Sequence, residues 1–227
     1  MLMKRITVLL AEDHQIVREG FRSLLKHERD IEVVGEAETG RQAVQLAREL
    51  RPAVVVMDIA MPLLNGLEAT RQIRKAIPDT KVLVLSAHSD DAYVEQMTES
   101  GASGFLLKQT SSHVLAGAIR EVHKGKTFFA PSIARRIDGR GQKSPGRGGQ
   151  LKKSINRLSS REVEVLQLIA EGQPNKQVAA ELGVSFKTID KHRQHLMAKL
   201  NIHDVAGLTR YAIAEGIIES SVQVTII

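Results

Sequence analysis

Between residues 5 and 124, short apolar runs alternate with stretches whose apolar residues recur at helical spacing, and this alternation restricts the fold more than any other feature of the chain. The runs at residues 6–11, 31–35, 53–57, 81–85 and 104–107 have the length of strands, and several lack the polar alternation of a half-solvated strand. Strands of that kind are buried on both faces. The intervening stretches at residues 16–25, 40–50, 67–77 and 114–122 place apolar side chains at helical spacing, for example Ile16 and Leu24, or Ala43, Val44 and Ala47. Strands joined through helices pair in parallel by right-handed crossovers, so residues 1–125 are predicted to form a five-stranded parallel, doubly wound α/β domain, flavodoxin-like in class. Sites in such sheets form beyond the carboxyl ends of the strands.

The residues at those strand ends carry the chemistry. Glu12 and Asp13 follow the first strand, Asp58 ends the third, Ser86 ends the fourth and Lys108 ends the fifth. A parallel sheet brings them all to one rim. Three carboxylates converging there repel one another and raise at least one pKa unless a cation compensates. A hard divalent cation that keeps several waters relieves the repulsion, and Mg²⁺ also suits phosphate oxygens. A carboxylate can act as the covalent nucleophile toward a phosphoryl group while an ammonium and a hydroxyl stabilise the transferred oxygens. Singly, each residue has a plainer reading: Asp13 and Asp58 as N-caps, Ser86 as a turn residue, Lys108 as a solvated charge. Their joint position at one rim is what points to phosphoryl transfer.

The second half changes period. The formal net charge of +6 is unevenly placed: residues 126–157 hold 9 Lys+Arg against 1 Asp+Glu, whereas residues 1–125 hold 16 against 17 and residues 158–227 hold 7 against 8. Residues 139–149 are too poor in apolar side chains to offset the entropy of ordering them, which predicts a flexible basic linker over 126–157, either a spacer or an arm that contacts phosphates. Residues 158–227 then read as an all-α four-helix domain. Ser159 and Glu162 have the spacing of a capping box ahead of a helix over 163–170, closed by Gly172 and Pro174. A short helix over 176–182, a turn at Gly183, a helix over 186–200 with Ser185 as N-cap, and a last helix over 205–214 complete the pattern. Two helices around a glycine turn, the second with a polar face, is helix-turn-helix spacing.

Composition narrows the partners. Aromatic residues make up 3% of the chain and Trp is absent, so nucleic-acid contact by stacking on unpaired bases is disfavoured and duplex DNA is the expected target. The chain has no cysteine, which rules out a disulfide framework and a thiolate metal site, and His14, His192, His195 and His203 show no metal-binding spacing. The apolar run at 6–11 is too short for a signal-peptide core or a membrane span, so the expectation is a cytoplasmic protein with no membrane partner.

The motifs also carry a family resemblance. Val8-Leu9-Leu10-Ala11-Glu12-Asp13-His14, Val55-Val56-Met57-Asp58-Ile59-Ala60-Met61-Pro62 with Asn65-Gly66-Leu67-Glu68, Leu85-Ser86-Ala87, and Gly101-Ala102-Ser103-Gly104-Phe105-Leu106-Leu107-Lys108 resemble receiver domains in order and spacing. The resemblance implies that Asp58 is the phosphoacceptor, that Glu12, Asp13, Asp58 and the backbone carbonyl of Ala60 hold Mg²⁺, and that Ser86 and Lys108 sense the phosphoryl group. Phe105 stands at the family's aromatic switch position; without a hydroxyl it can act only by ring packing, and it reads equally well as a core residue. Phosphorylation would shift the helix expected over 90–100.

Leu158-Ser159-Ser160-Arg161-Glu162, Ile169-Ala170-Glu171-Gly172, Ser185-Phe186-Lys187-Thr188-Ile189, His192-Arg193 and Lys199-Leu200 resemble the NarL/FixJ subgroup, whose members end in a LuxR-type helix-turn-helix. The resemblance implies that Asp190, Lys191 and Gln194 read bases and that Lys187, Thr188 and Arg193 mainly hold phosphates. An acid at position 190 is a departure that is tolerable if it accepts from cytosine or orients Lys187 or Lys191. Val205, Leu208, Thr209 and Ala212 on the last helix are expected to make a dimer contact. The function implied is a DNA-binding transcriptional response regulator rather than an enzyme. A sensor histidine kinase would phosphorylate it, which would unmask the helix-turn-helix and favour a homodimer on promoter DNA, with RNA polymerase as a further partner. A haloacid-dehalogenase-type phosphatase would need a second Asp where Ala60 stands, and a quorum-type sensor would lack the strand-end carboxylates. The alternative kept is a phosphorylation-independent dimeric regulator with a receiver-like domain.

Overall fold

A computed structural model of the chain describes residues 5–86, 99–129 and 158–218. Two compact units divide it, Met1–Ser144 and Pro145–Ile227. In the first, strands β1 (Ile6–Ala11), β2 (Ile31–Ala37), β3 (Val54–Asp58), β4 (Lys81–Ser86), β5 (Gly104–Leu107) and β6 (Phe128–Phe129) form one parallel sheet in the order β2-β1-β3-β4-β5-β6. Helices α1 (Gln15–Lys26), α2 (Gly40–Leu50), α3 (Gly66–Ala76) and α4 (Ser112–His123) cover it.

Alternation along the strands builds a core on each face. Leu9, Val55, Met57, Val82, Val84 and Phe105 pack with Ala43 and Ala47 of α2 and Ile73 of α3. Val8, Leu10, Val54, Val56, Leu83, Leu85 and Leu106 pack with Phe21 and Leu25 of α1 and Ile119 and Val122 of α4. Each large side chain so buried contributes about 1.5–3 kcal/mol, and that continuous burial is why these strands show no polar alternation.

Ile16 and Leu24, at helical spacing on α1, are 86% and 41% exposed, and the helix buries Arg18, Phe21 and Leu25. A helix on a sheet buries one stripe, and the i, i+4 pair of Phe21 and Leu25 fixes which one. The sheet has six strands rather than the five expected. Phe129 and Phe128 pair with Phe105 and Gly104 inside the stretch read as linker, two β-favouring aromatics that cover the edge of β5 after a left-handed turn at Gly125. The rest of that stretch, residues 130–157, and most of the helix expected over 90–100 lie outside the described residues.

The turn after β3 is tightly built. Leu63 adopts a left-handed backbone with φ 67, Asn65 caps α3 by accepting from the Glu68 amide at 2.9 Å, and the Gly66 amide donates to the Ile59 carbonyl at 2.8 Å. A Cβ on Gly66 would fall inside the envelope of the Asp58 carbonyl oxygen, so only glycine lets α3 begin against the end of β3.

The second unit contains α5 (Ser160–Ala170), α6 (Asn175–Glu181), α7 (Phe186–Leu200) and α8 (Val205–Ala214). Val165, Leu166, Leu168, Val178, Ile189, Leu196, Leu208 and Ala212 are all fully buried, so every helix supplies at least one residue to a single core. Ser159 and Glu162 form the complete capping box. The Glu162 carboxylate accepts from the Ser159 amide at 2.8 Å and meets the Lys199 ammonium at 2.7 Å, pinning the end of α7 to the start of α5. Burial pushes its pKa up, but the donors from Lys199 and Ser159 prevail and hold it below the usual carboxylate range. Leu208 and Ala212 are therefore core residues at 0% exposure, not contacts for a second copy. Their i, i+4 stripe is the one that packs α8 on α5, which leaves Val205 and Ile213 exposed. Among the described residues no helix is long and apolar enough to cross a membrane.

Gly66→Ala should lower the stability of the first unit by about 1–3 kcal/mol through overpacking against the Asp58 carbonyl. Gly117→Ala on α4, where a Cβ meets open space, should raise it by about 0.5–1 kcal/mol. Urea denaturation of the two variants checks both signs.

Candidate functional site

Strand register aligns the candidate residues. Ala11 lies opposite Met57, Asp58 opposite Leu85 and Ser86 opposite Leu107, so Glu12 and Lys108, one residue further on, emerge at the same sheet edge. There the Lys108 ammonium lies 2.9 Å from Glu12 Oε2 and 2.9 Å from Asp58 Oδ2, and donates to Glu12 Oε1 at 3.0 Å. Asp58 Oδ1 accepts from the Ile59 amide at 2.8 Å. Glu12 and Asp58 are 2% and 1% exposed. Asp13 is more open and its Oδ1 lies 2.9 Å from Nδ1 of the exposed His14. Ser86 is buried at the end of β4, and its carbonyl accepts from the Lys108 amide at 2.8 Å. Ala60 is half-buried in the turn that follows Asp58. Phe105 is fully buried within the cluster that includes Val82 and Val84, so its ring is a core element in this conformation.

The charge balance of this pocket is uneven. Glu12 Oε2, Asp13 Oδ1 and Asp58 Oδ2 are sealed from solvent without an aligned hydrogen-bond donor, although Lys108 approaches the first and third at ion-pair distance. One ammonium thus faces three carboxylates. Burial, with the charge of Glu12 added, pushes the Asp58 carboxyl up to about 6 against the pull of Lys108. Burial disfavours the Lys108 ammonium as well, but Asp58 and Glu12 outweigh it and raise its pKa. Glu12, Asp13 and His14 each place a ligand atom within 4.8 Å of the others. Mostly anionic oxygens that lack aligned donors, beside a carboxylate that resists ionisation, fit a hard divalent cation.

One contributor carries no signal in the motifs. Arg18 of α1 is 7% exposed; its guanidinium donates to the Glu12 carbonyl at 2.7 Å, to Glu38 at 2.7 Å and to Glu36 at 3.3 Å. The available clue is its place at i−3 and i−7 from Phe21 and Leu25: a charge on the core-facing stripe of a helix demands partners.

In the second unit Ser185 caps α7, its hydroxyl accepting from the Thr188 amide at 3.1 Å and lying 2.8 Å from the Thr188 hydroxyl. Lys187, Lys191 and Gln194 are exposed, and neither lysine has an ion-pair partner among the described residues. Asp190 orients neither lysine. It accepts from Gln194 Nε2 at 3.0 Å, because i, i+4 brings the carboxamide onto the carboxylate while Lys187 and Lys191 point to solvent. Arg193 donates to Asn175 of α6 at 3.1 Å, which joins the two helices of the turn.

The raised Asp58 pKa has a defined sign. The folded state holds the proton more tightly than the unfolded chain, so this contribution to stability is full below the unfolded value of 3.8 and is lost as pH rises through about 6. With divalent cations chelated, Asp58→Asn should stabilise the protein at pH 7 by about 2–3 kcal/mol. That gain should vanish toward pH 4, as thermal denaturation of both proteins across this range checks.

Comparison with known proteins agrees with the geometry. The family model of the response regulator receiver domain matches residues 8–120, and that of the bacterial regulatory proteins of the luxR family matches residues 156–212. The chain is 38% identical over 207 residues to the transcriptional regulatory protein LiaR of Bacillus subtilis, covering 91% of this chain and 96% of the relative. It is 36% identical over 211 residues to the transcriptional regulatory protein DegU of Brevibacillus brevis, covering 88% and 89%. Among solved structures it is similar to RcsB of Salmonella enterica serovar Typhimurium bound to promoter rprA in the presence of the phosphomimetic BeF3-, with a TM-score of 0.58 at 27% identity over 92% of this chain and 98% of that one. The chain belongs to the two-component transcriptional response regulators of the NarL/FixJ subgroup, a receiver domain followed by a LuxR-type helix-turn-helix.

Proposed function

We propose that Asp58 is the phosphoacceptor of this regulator and that its modification controls binding of α7 to duplex promoter DNA. The observation that carries the reading is the convergence of Glu12, Asp58 and Lys108 within 3.0 Å at the carboxyl edge of the sheet, in a chain that also holds a helix-turn-helix. Glu12, Asp13, Asp58 and the Ala60 carbonyl are the residues that would hold Mg²⁺, which when bound supplies positive charge to the transferring oxygens. An Asp58 carboxylate oxygen attacks phosphorus; a new O–P bond forms, the bond to the donor breaks, and the leaving group departs with that electron pair. The Lys108 ammonium, which here spans Glu12 and Asp58, turns to the transferred oxygens, and the Ser86 hydroxyl donates to another. A sensor histidine kinase is the donor in the cell. The charge added at the sheet edge shifts the population toward a state in which the helix-turn-helix is unmasked and two copies bind paired half-sites, where RNA polymerase can be engaged. Val205, exposed at the start of α8, and the half-buried Thr209 remain candidates for the dimer contact; Leu208 and Ala212, fully buried, do not.

On DNA, Lys191 and Gln194 read base edges together with Asp190, and Lys187, Thr188 and Arg193 hold phosphates. The reading is supported by the exposure of Lys187, Lys191 and Gln194 along one helix.

Intact mass after incubation with Mg²⁺ and acetyl phosphate should show one phosphoryl adduct in the wild type and none in Asp58→Asn, with tighter promoter binding by the adduct. Undiminished DNA binding with no adduct would favour the phosphorylation-independent regulator. Lys191→Ala should relax base preference at one position by about 1–3 kcal/mol. Lys187→Ala should weaken all sequences alike and reduce the salt slope of binding by roughly 1. Binding-site selection across a salt series separates the two effects.

A further inference from the structure

We infer that Arg18 is a positioning residue for the cation pocket: its buried guanidinium fixes the turn that carries Glu12 and Asp13, and thereby sets the affinity of the site for a divalent ion. The inference rests on the proposed reading of that pocket.

Three bonds fan out from this one side chain. Nη1 donates to the Glu12 carbonyl at 2.7 Å, Nη2 to Glu38 at 2.7 Å and Nε to Glu36 at 3.3 Å. The guanidinium so joins α1 and the end of β2 to the first residue beyond β1. The Glu12 amide is held independently, donating to the Ala37 carbonyl at 3.0 Å. Both backbone polar groups of Glu12 are therefore anchored, its amide to β2 and its carbonyl to Arg18. The peptide that links Glu12 to Asp13 is the one whose carbonyl Arg18 holds, so that bond fixes the backbone from which both carboxylates project.

The partners on the other side do not need Arg18 to the same degree. Glu38 is 64% exposed and can return to water, and Glu36 keeps Arg22, whose guanidinium lies 2.9 Å from its other oxygen. Loss of the guanidinium is thus felt most by the Glu12 carbonyl, at the rim of the pocket. Outer partners that orient metal ligands in this way usually govern metal affinity by about 10–100-fold. Arg is also the side chain the position requires: a planar fork presents donors in three directions, whereas a lysine ammonium at the same place cannot reach the carbonyl and both carboxylates at once. Arg22 supplies the internal control. It ties the same helix to the same strand through Glu36, from an exposed position, and no bond from it to Glu12 is seen.

The test is Mg²⁺ titration of the full chain by calorimetry, with wild type, Arg18→Met, Arg18→Lys and Arg22→Ala, each checked for folding by circular dichroism. Arg18→Met should raise the Mg²⁺ Kd about 10-fold or more, with Arg18→Lys between it and wild type and Arg22→Ala at the wild-type value. In the acetyl phosphate assay the Mg²⁺ concentration for half-maximal adduct should rise in parallel, while the adduct at saturating Mg²⁺ is retained. A folded Arg18→Met with wild-type Mg²⁺ affinity overturns the inference. If that variant does not fold, wild-type affinity in Arg18→Lys overturns it equally, and a weakened Mg²⁺ response with retained maximal adduct supports it. A wild type that neither binds Mg²⁺ nor forms an adduct would refute the pocket reading itself, a result distinguishable from failure at Arg18 alone.

Discussion

One ammonium shared by buried carboxylates is the interaction around which the first unit is organised. Lys108 contacts Glu12 and Asp58 at 2.9 Å each, with Asp13 beside them, and its single charge leaves the cluster negative. Burying charge is costly unless partners compensate it, and here compensation is incomplete by design of the residue set. The result is an anion-rich cluster that resists ionisation of Asp58 and would gain from a cation bound beside it. Local instability of this kind is tolerated where a site must respond to what binds it.

That arrangement survives because the backbone around it is over-determined. Two apolar clusters clamp the strands from both faces, the strand register sets the order in which residues reach the edge, and Gly66 lets α3 start directly against the Asp58 carbonyl. Arg18 adds a polar brace to the same end of β1. The apolar core supplies the stability, and the small number of buried polar bonds sets the direction of the functional groups.

The second unit separates the same two tasks by helix face. Ile189 and Leu196 of α7 join Leu208 and Ala212 of α8 in the core, while Lys187, Lys191 and Gln194 stay in solvent. The Ser159–Glu162 capping box and the Glu162–Lys199 ion pair fix the ends of the helices without using the outer face of α7. A helix packed on its apolar face, with Lys187 and Lys191 free of ion pairs among the described residues, can meet a groove without first breaking a salt bridge of either lysine.

Much of this was legible in the residues. The alternation of apolar runs determined a parallel sheet, and strand-end positions alone placed Glu12, Asp58, Ser86 and Lys108 at one rim, because in a parallel sheet all carboxyl ends share an edge. Ser159 with Glu162, and Ser185, marked their helix starts, since capping is a bond between near neighbours in sequence. What lay beyond sequence was the phase and pairing of side chains over longer distances. Which stripe of α1 faces inward, and so leaves Ile16 outside and takes Arg18 in, depends on the sheet beneath it. The burial of Leu208 and Ala212 depends on α5, and the pairing of Phe128–Phe129 depends on an edge left open by β5. The choice of Gln194 over a lysine by Asp190 is a matter of rotamers on a solvated face. The sequence by itself determined five of the six strands, the order of the described helices and the chemistry at the strand ends, because those rest on local periodicity; only the tertiary structure decided the edge strand Phe128–Phe129 and which charged groups are held by which, because that requires chain segments far apart in sequence to meet.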